Sequence, residues 1–214
     1  MNNSFLEKQI SAHFMINTLN TIRILIEQEE PEKAKAVADG LSSLIRYAYD
    51  SDEFINIWDE FEILQKYAAV MNCRYSGKLN IDFDFDDRLM DHSMPRMLIQ
   101  PIIENAITHG FKNMDSGCEI FIKTELCGNS VYFLIRDNGC GMSDEELAGL
   151  EEKLNAAPGL VWENSKEKEY ENIALINIKN RLVNYYGDAG QLKIKPGDNG
   201  GIEVFVSIVT EIRI

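Results

Sequence analysis

The sequence predicts an α+β chain of two units: a helical hairpin that pairs with a second copy into a four-helix bundle, then an α+β unit of mixed strands and helices. Three observations carry this. Apolar residues recur at helical spacing, with scarcely a Pro or Gly, from residue 5 to residue 48. Strict two-residue alternation marks segments of the remainder, and turn and capping residues divide those segments into hairpins and helices. The units meet near residues 50–58, with the boundary set between 1–54 and 55–214.

From Phe5 to about Gln28 the residues Ala12, Met15, Leu19, Ile22 and Ile26 recur at steps of three and four, which predicts a long amphipathic helix. Glu29, Glu30 and Pro31 break it. Ala34, Val37, Leu41, Leu44 and Ala48 then continue the period, and Pro31 suits the first turn of a second helix. So short a connection implies an antiparallel pair, and two helices alone bury too little surface, so a homodimer is expected. A third helix is expected from an N-cap at Asp59, with Glu62 completing a capping box, to Gly77. Ile81, Phe83 and Phe85 alternate with Asp82, Asp84 and Asp86 as a half-buried strand with a solvated acidic face, given no function. A helical segment around 95–109 follows, which Pro101 must either begin or kink. Strands over Glu119–Leu126 and Val131–Asp137 flank a Gly128-Asn129 turn. Ser143 and Glu146 cap a helix, residues 156–172 read as a mobile polar loop, and a helix over Ile173–Tyr186 stops at Gly187. Two closing strands flank the turn at 196–201.

Composition narrows the partners. A charge of −14, from 21 basic and 35 acidic residues with no Lys/Arg run, repels a phosphate backbone and argues against nucleic acid. Cys73, Cys118, Cys127 and Cys140 form neither a C-x-x-C pair nor a metal-ligand spacing, and read as reduced cytosolic thiols. No apolar run is long enough to span a bilayer, and no signal-peptide core follows Met1.

Three groups of residues can carry chemistry. His13 shares a helix face with Asn17 and Asn20. It is either a surface histidine or a neutral imidazole nucleophile near pH 7, oriented by Asn17 one turn away, and the helix alone does not decide. Asp137-Asn138-Gly139-Cys140-Gly141 follows a strand and precedes a capped helix. It is not the hairpin that Asn-Gly ordinarily makes, so Gly139 and Gly141 suit close approach to a ligand, and Asp137 can accept a hydrogen bond from the exocyclic amine of adenine. Asn105 and His109 fall one turn apart, an amide oxygen suited to Mg²⁺ and an imidazole suited to phosphate, although both types also end ordinary helices.

Taken together the motifs resemble those of LytS/YesM-type sensor histidine kinases. The stretch from Glu7 to Asn20 is similar to that family's phosphoacceptor box, and Leu44-Ile45-Arg46-Tyr47 and Cys73-Arg74-Tyr75 to its later helical landmarks. Residues 100–110, Gln-Pro-Ile-Ile-Glu-Asn-Ala-Ile-Thr-His-Gly, resemble the N box, and Asp137 to Met142 the first glycine box of the ATPases that include gyrase, Hsp90 and MutL. The resemblance implies a Bergerat-type α/β sandwich binding ATP and Mg²⁺ over 55–214, docked on dimerisation and histidine phosphotransfer helices over 1–54. It further implies a γ-phosphate passed to His13 and on to the receiver domain of a response regulator. ATP would be held by Asn105, also the metal ligand, with His109, Asp137, Gly139, Gly141, Asn172, Ala174, Leu175 and Asn177. The chain would be the cytoplasmic portion of a bacterial inner-membrane receptor, reaching the membrane only through an upstream segment.

Two departures stand out. The second glycine box reads Asn172-Ile173-Ala174-Leu175-Ile176-Asn177, with both glycines replaced, so backbone N–H groups meet a β-carbon where phosphates would sit. Ser11-Ala12 replaces the proline before the histidine, and Phe14 stands where commoner histidine kinases carry a carboxylate, so the general base is unnamed. Two rival readings follow. One is a hydrolytic ATPase, disfavoured because Pro101 holds the position of the water-activating glutamate. The other is a non-catalytic dimeric scaffold that no longer binds ATP.

Overall fold

The computed structural model describes residues 12–112, 114–155, 173–198 and 200–210. The segment expected as a loop at 156–172, with Asn172, lies outside the described residues, as do Glu7, Gln9 and Ser11. The chain forms two compact units, one of residues 1–80 and 94–96, the other of 81–93 and 97–214.

The first unit packs three helices, α1 (Ala12–Glu27), α2 (Pro31–Tyr49) and α3 (Ile57–Arg74). Pro31 begins α2, and the chain turns into it through Glu29 at φ 59°. Every apolar residue expected on α2 is buried. On α1 the expected stripe is not: Thr18 and Leu25 are buried, while Leu19 and Ile26 are 57% and 61% exposed. Helix α3 begins at Ile57 with Asn56 as its cap, so the expected cap at Asp59 is corrected. Buried Ile57 and Phe61, four apart, draw the helix one turn further back, and Asp59 and Glu60 fall in its acidic first turn. A two-stranded sheet of β1 (Phe54–Asn56) and β3 (Ser93–Pro95), too short for alternation to mark, closes the unit.

The second unit is a five-stranded sheet in the order β2-β4-β5-β7-β6, formed by β2 (Leu79–Asp84), β4 (Cys118–Cys127), β5 (Ser130–Asp137), β6 (Gln191–Pro196) and β7 (Ile202–Val209). The antiparallel register places Ile122 opposite Ile135, Ile135 opposite Val204, and Val204 opposite Ile194, one buried row across four strands. Over that face pack α4 (Gln100–Asn105), α5 (Asp144–Asn155) and α6 (Ile173–Tyr186), with Leu150, Ile178 and Leu182 buried. Asp82 and Asp84 are exposed as expected, but Asp86 is not part of that solvated face. It lies beyond the strand, caps the turn Asp87–Leu89 and accepts from the backbone N–H groups of Arg88 and Leu126. Those bonds, with the Arg88 guanidinium, hold its carboxyl far below the ordinary range.

Pro101 sits in the first turn of α4, so it begins the helix instead of kinking it, and the start expected near residue 95 moves to Gln100. The helix then widens into a π-turn, Ala106–Gly110, closed by the Phe111 N–H donating to the Ala106 carbonyl at 3.2 Å. The capping box at α5 forms in both directions. Ser143 N–H donates to Glu146 at 2.8 Å and Glu146 N–H to Ser143 Oγ at 3.3 Å.

Candidate functional site

Alternation along β5 turns Val131, Phe133, Ile135 and then Asp137 to the buried face, so the sheet itself carries a carboxylate to the strand end at 5% exposure. The Gly139 N–H donates to Asp137 Oδ1 at 2.9 Å, and the Ile202 N–H also bonds the carboxylate. Burial raises the Asp137 carboxyl above its ordinary range, with these two donors opposing. Around it the chain passes as bare backbone. A β-carbon at Gly139 would stand 2.5 Å from the Gly110 carbonyl oxygen, and one at Gly201, whose φ is 69°, would overlap Asp137 itself. The Cys140 N–H donates to that Gly110 carbonyl at 2.9 Å, stitching the π-turn to the glycine loop.

A cavity of about 410 Å³ opens here. Asn105 lines it from the end of α4, His109 from the π-turn, Asp137 and Gly141 from the glycine loop, and Leu175 from α6, five of the residues singled out in the sequence. Gly139 does not line it: its close approach is to Gly110. Ala174 and Asn177 are half-buried on α6 and do not line it either. Sequence reading missed Lys112, Lys153 and Ile202, which no local motif marks and which only the closure of sheet on helices brings in, and it gave no role to Met142 at the end of the glycine loop. Behind Asn105, burial pushes the Glu104 carboxyl up to about 7, opposed by the Gln100 amide donating at 2.9 Å. A larger groove of about 960 Å³ runs along β6 and α6 past Lys179, Lys195 and Phe205, and contains none of the expected residues.

In the first unit His13 is exposed on α1, with the Asn17 amide nitrogen 3.0 Å from its Nε2. The next residue, Phe14, anchors this turn by stacking on Tyr67 at 5.9 Å under the Arg74 guanidinium. Among the described residues no cluster of three or more His, Cys, Asp or Glu could hold a metal, and no helix is long and apolar enough to cross a membrane.

Residues 1–79 match the family described as histidine kinase, and residues 90–211 the family described as histidine kinase-, DNA gyrase B-, and HSP90-like ATPase. The chain is 30% identical to the sensor protein LytS of Oceanobacillus iheyensis over 94% of its length, covering 33% of that protein. It is 27% identical to the sensor protein kinase HptS of Staphylococcus aureus over 92% of its length, covering 36%. It therefore spans about a third of the curated relatives it matches. In fold it is similar to the catalytic domain of histidine kinase ThkA, with a TM-score of 0.52 at 14% identity over 73% of this chain and 94% of that one. The chain belongs to the histidine kinases, and its second unit to the ATPase family they share with DNA gyrase B and HSP90.

Proposed function

We propose that the chain is the catalytic part of a sensor histidine autokinase that transfers the γ-phosphate of ATP to His13. The observation that carries this reading is the convergence of Asn105, His109, Asp137 and Gly141, from two motifs about thirty residues apart, on one cavity with a buried carboxylate at its end. Asp137 accepts from the adenine amine, a bond guanine cannot offer at that position. His109 reaches phosphate. Asn105 offers the amide oxygen that Mg²⁺ favours, and with no metal-holding acidic cluster among the described residues the metal would take oxygens from phosphate and water as well and supply charge neutralisation there.

At His13 a neutral imidazole nitrogen forms the N–P bond while the bond from γ-phosphorus to the bridging oxygen breaks, and ADP leaves with the electron pair. Asn17 steadies the ring. Exposure of His13 suits a group that must meet first the nucleotide and then the receiver domain of a response regulator. In this reading residues 1–54 carry dimerisation and phosphotransfer, 55–214 bind ATP, and the whole is the cytoplasmic part of a membrane receptor.

Incubation with γ-labelled ATP and Mg²⁺ is expected to give a label stable in base and lost in acid, as a phosphoramidate is. His13→Gln should abolish it. Label that persists in that variant, or that resists acid, refutes the assignment.

A further inference from the structure

The nucleotide reading leaves one requirement open, namely which cations face the triphosphate. The residues already named supply an amide, an imidazole and a carboxylate, and the altered second glycine box offers a β-carbon at Ala174 where the family has bare backbone. We propose that Lys112 and Lys153 are the polyphosphate-binding cations of the cavity, an inference that rests on the nucleotide reading above.

Both lysines line the cavity, Lys112 just beyond the π-turn that carries His109, Lys153 near the end of α5. Both are exposed, and neither forms an ion pair among the described residues. Some other cations do meet acids close by: Arg23 meets Glu27 at 2.6 Å, Lys33 meets Glu30 at 2.5 Å and Lys195 meets Glu203 at 2.9 Å. Lys153 is denied such a partner by its own neighbours. Three and four residues before it on α5 stand Leu150 and Gly149, neither of them a carboxylate. Lys112 has Thr108 and His109 at the same spacings behind it.

The acids of the cavity do not compensate. Asp137 is buried with backbone donors at the far end of the loop, and Glu146 is held in the α5 capping box by Ser143, whose hydrogen bonds lower its pKa. Only Glu145 remains on the rim. Gly149 lies between Glu145 and Lys153 on the lining face of α5, and a β-carbon there would meet nothing within 4 Å, so α5 leaves room beside Lys153. Two unpaired ammonium groups on one cavity suit a ligand with several negative charges, each able to donate charge-assisted hydrogen bonds to phosphate oxygens.

The test is titration of wild type, Lys112→Gln, Lys153→Gln, the double variant and Lys153→Arg with adenosine and with Mg-ATP, at two salt concentrations. Each glutamine variant should weaken ATP about tenfold and flatten its salt dependence, with adenosine affinity unchanged and Lys153→Arg close to wild type. Unchanged adenosine binding doubles as the control for folding. ATP affinity equal to wild type in both variants overturns the proposal, and an effect confined to one lysine overturns the assignment of the other. Parallel loss of adenosine and ATP also overturns it, since the lysines then act on the fold. Wild type that binds neither ligand refutes the nucleotide reading itself, a result distinct from wild-type ATP binding that survives both substitutions.

Discussion

Asp137 shows what a site asks of a single residue. Its raised pKa means that the carboxylate form is disfavoured by the fold: the stability it contributes is complete below the ordinary value of 3.8 and is lost as pH rises through the raised one. A charged Asp137 is therefore a cost to folding, which the proposed bond to adenine would offset. Asp137→Asn keeps an oxygen for the Gly139 N–H and removes the buried charge. The variant is expected to melt no lower than wild type at pH 7, yet to bind ATP more weakly by roughly 1.5 to 3 kcal/mol, ten- to a hundredfold. Calorimetry with ATP beside thermal denaturation of the same samples checks both halves. Unchanged affinity removes Asp137 from the site. Its position was legible from strand alternation and the following glycines. Lys112 and Lys153 were not, because an exposed lysine carries no periodic signal and its role depends on what lies across a cavity.

Helices and strands were legible where one residue type must occupy one position. Pro31 in its first turn, Gly128 in its hairpin and the Ser143-Glu146 box all stand where the sequence put them, while Pro101, which could begin or kink its helix, begins it. Asp59 misled because D-E-F-E satisfies the capping pattern, while the burial of Ile57 outweighs it. Packing between elements has no such local mark, and Gly40 is the instance. In the middle of α2 a glycine costs about 1 kcal/mol relative to alanine. It is kept because a β-carbon there would lie 2.7 Å from Cγ2 of buried Val70 on α3. Gly40→Ala should therefore destabilise by about 1 to 3 kcal/mol despite its better helix propensity. Adding Val70→Ala should recover part of that loss. Denaturant unfolding of the two single variants and the double variant measures the coupling, and additive effects would mean that the helices do not meet there.

For the molecule as a whole, the apolar face of α1 is the feature a single copy leaves unexplained. Ile16, Leu19 and Ile26 are each more than half exposed, while α2 buries its whole stripe. Helical periodicity revealed that α1 has such a face but could not say whether its own chain or another covers it, since the pattern is the same for both. A second copy pairing α1 with α1 is the homodimer proposed above. Burying each of these side chains is worth about 1.5 to 3 kcal/mol. Leu19→Asp with Ile26→Asp should therefore halve the mass in solution by sedimentation while leaving the helical content by circular dichroism unchanged. A wild type that is already monomeric, or a double variant that stays dimeric, rules out this face.

The floor made where Gly110, Gly139 and Gly201 crowd Asp137 bears on inhibition. A competitor seated against Asp137 and the Gly110 main chain rests on a wall the protein cannot easily alter from behind, because any side chain introduced at Gly139 or Gly201 collides with the protein's own backbone. Resistance would have to arise at the rim, at Met142 or Ile202, where a side chain can change size without dismantling the floor beneath it.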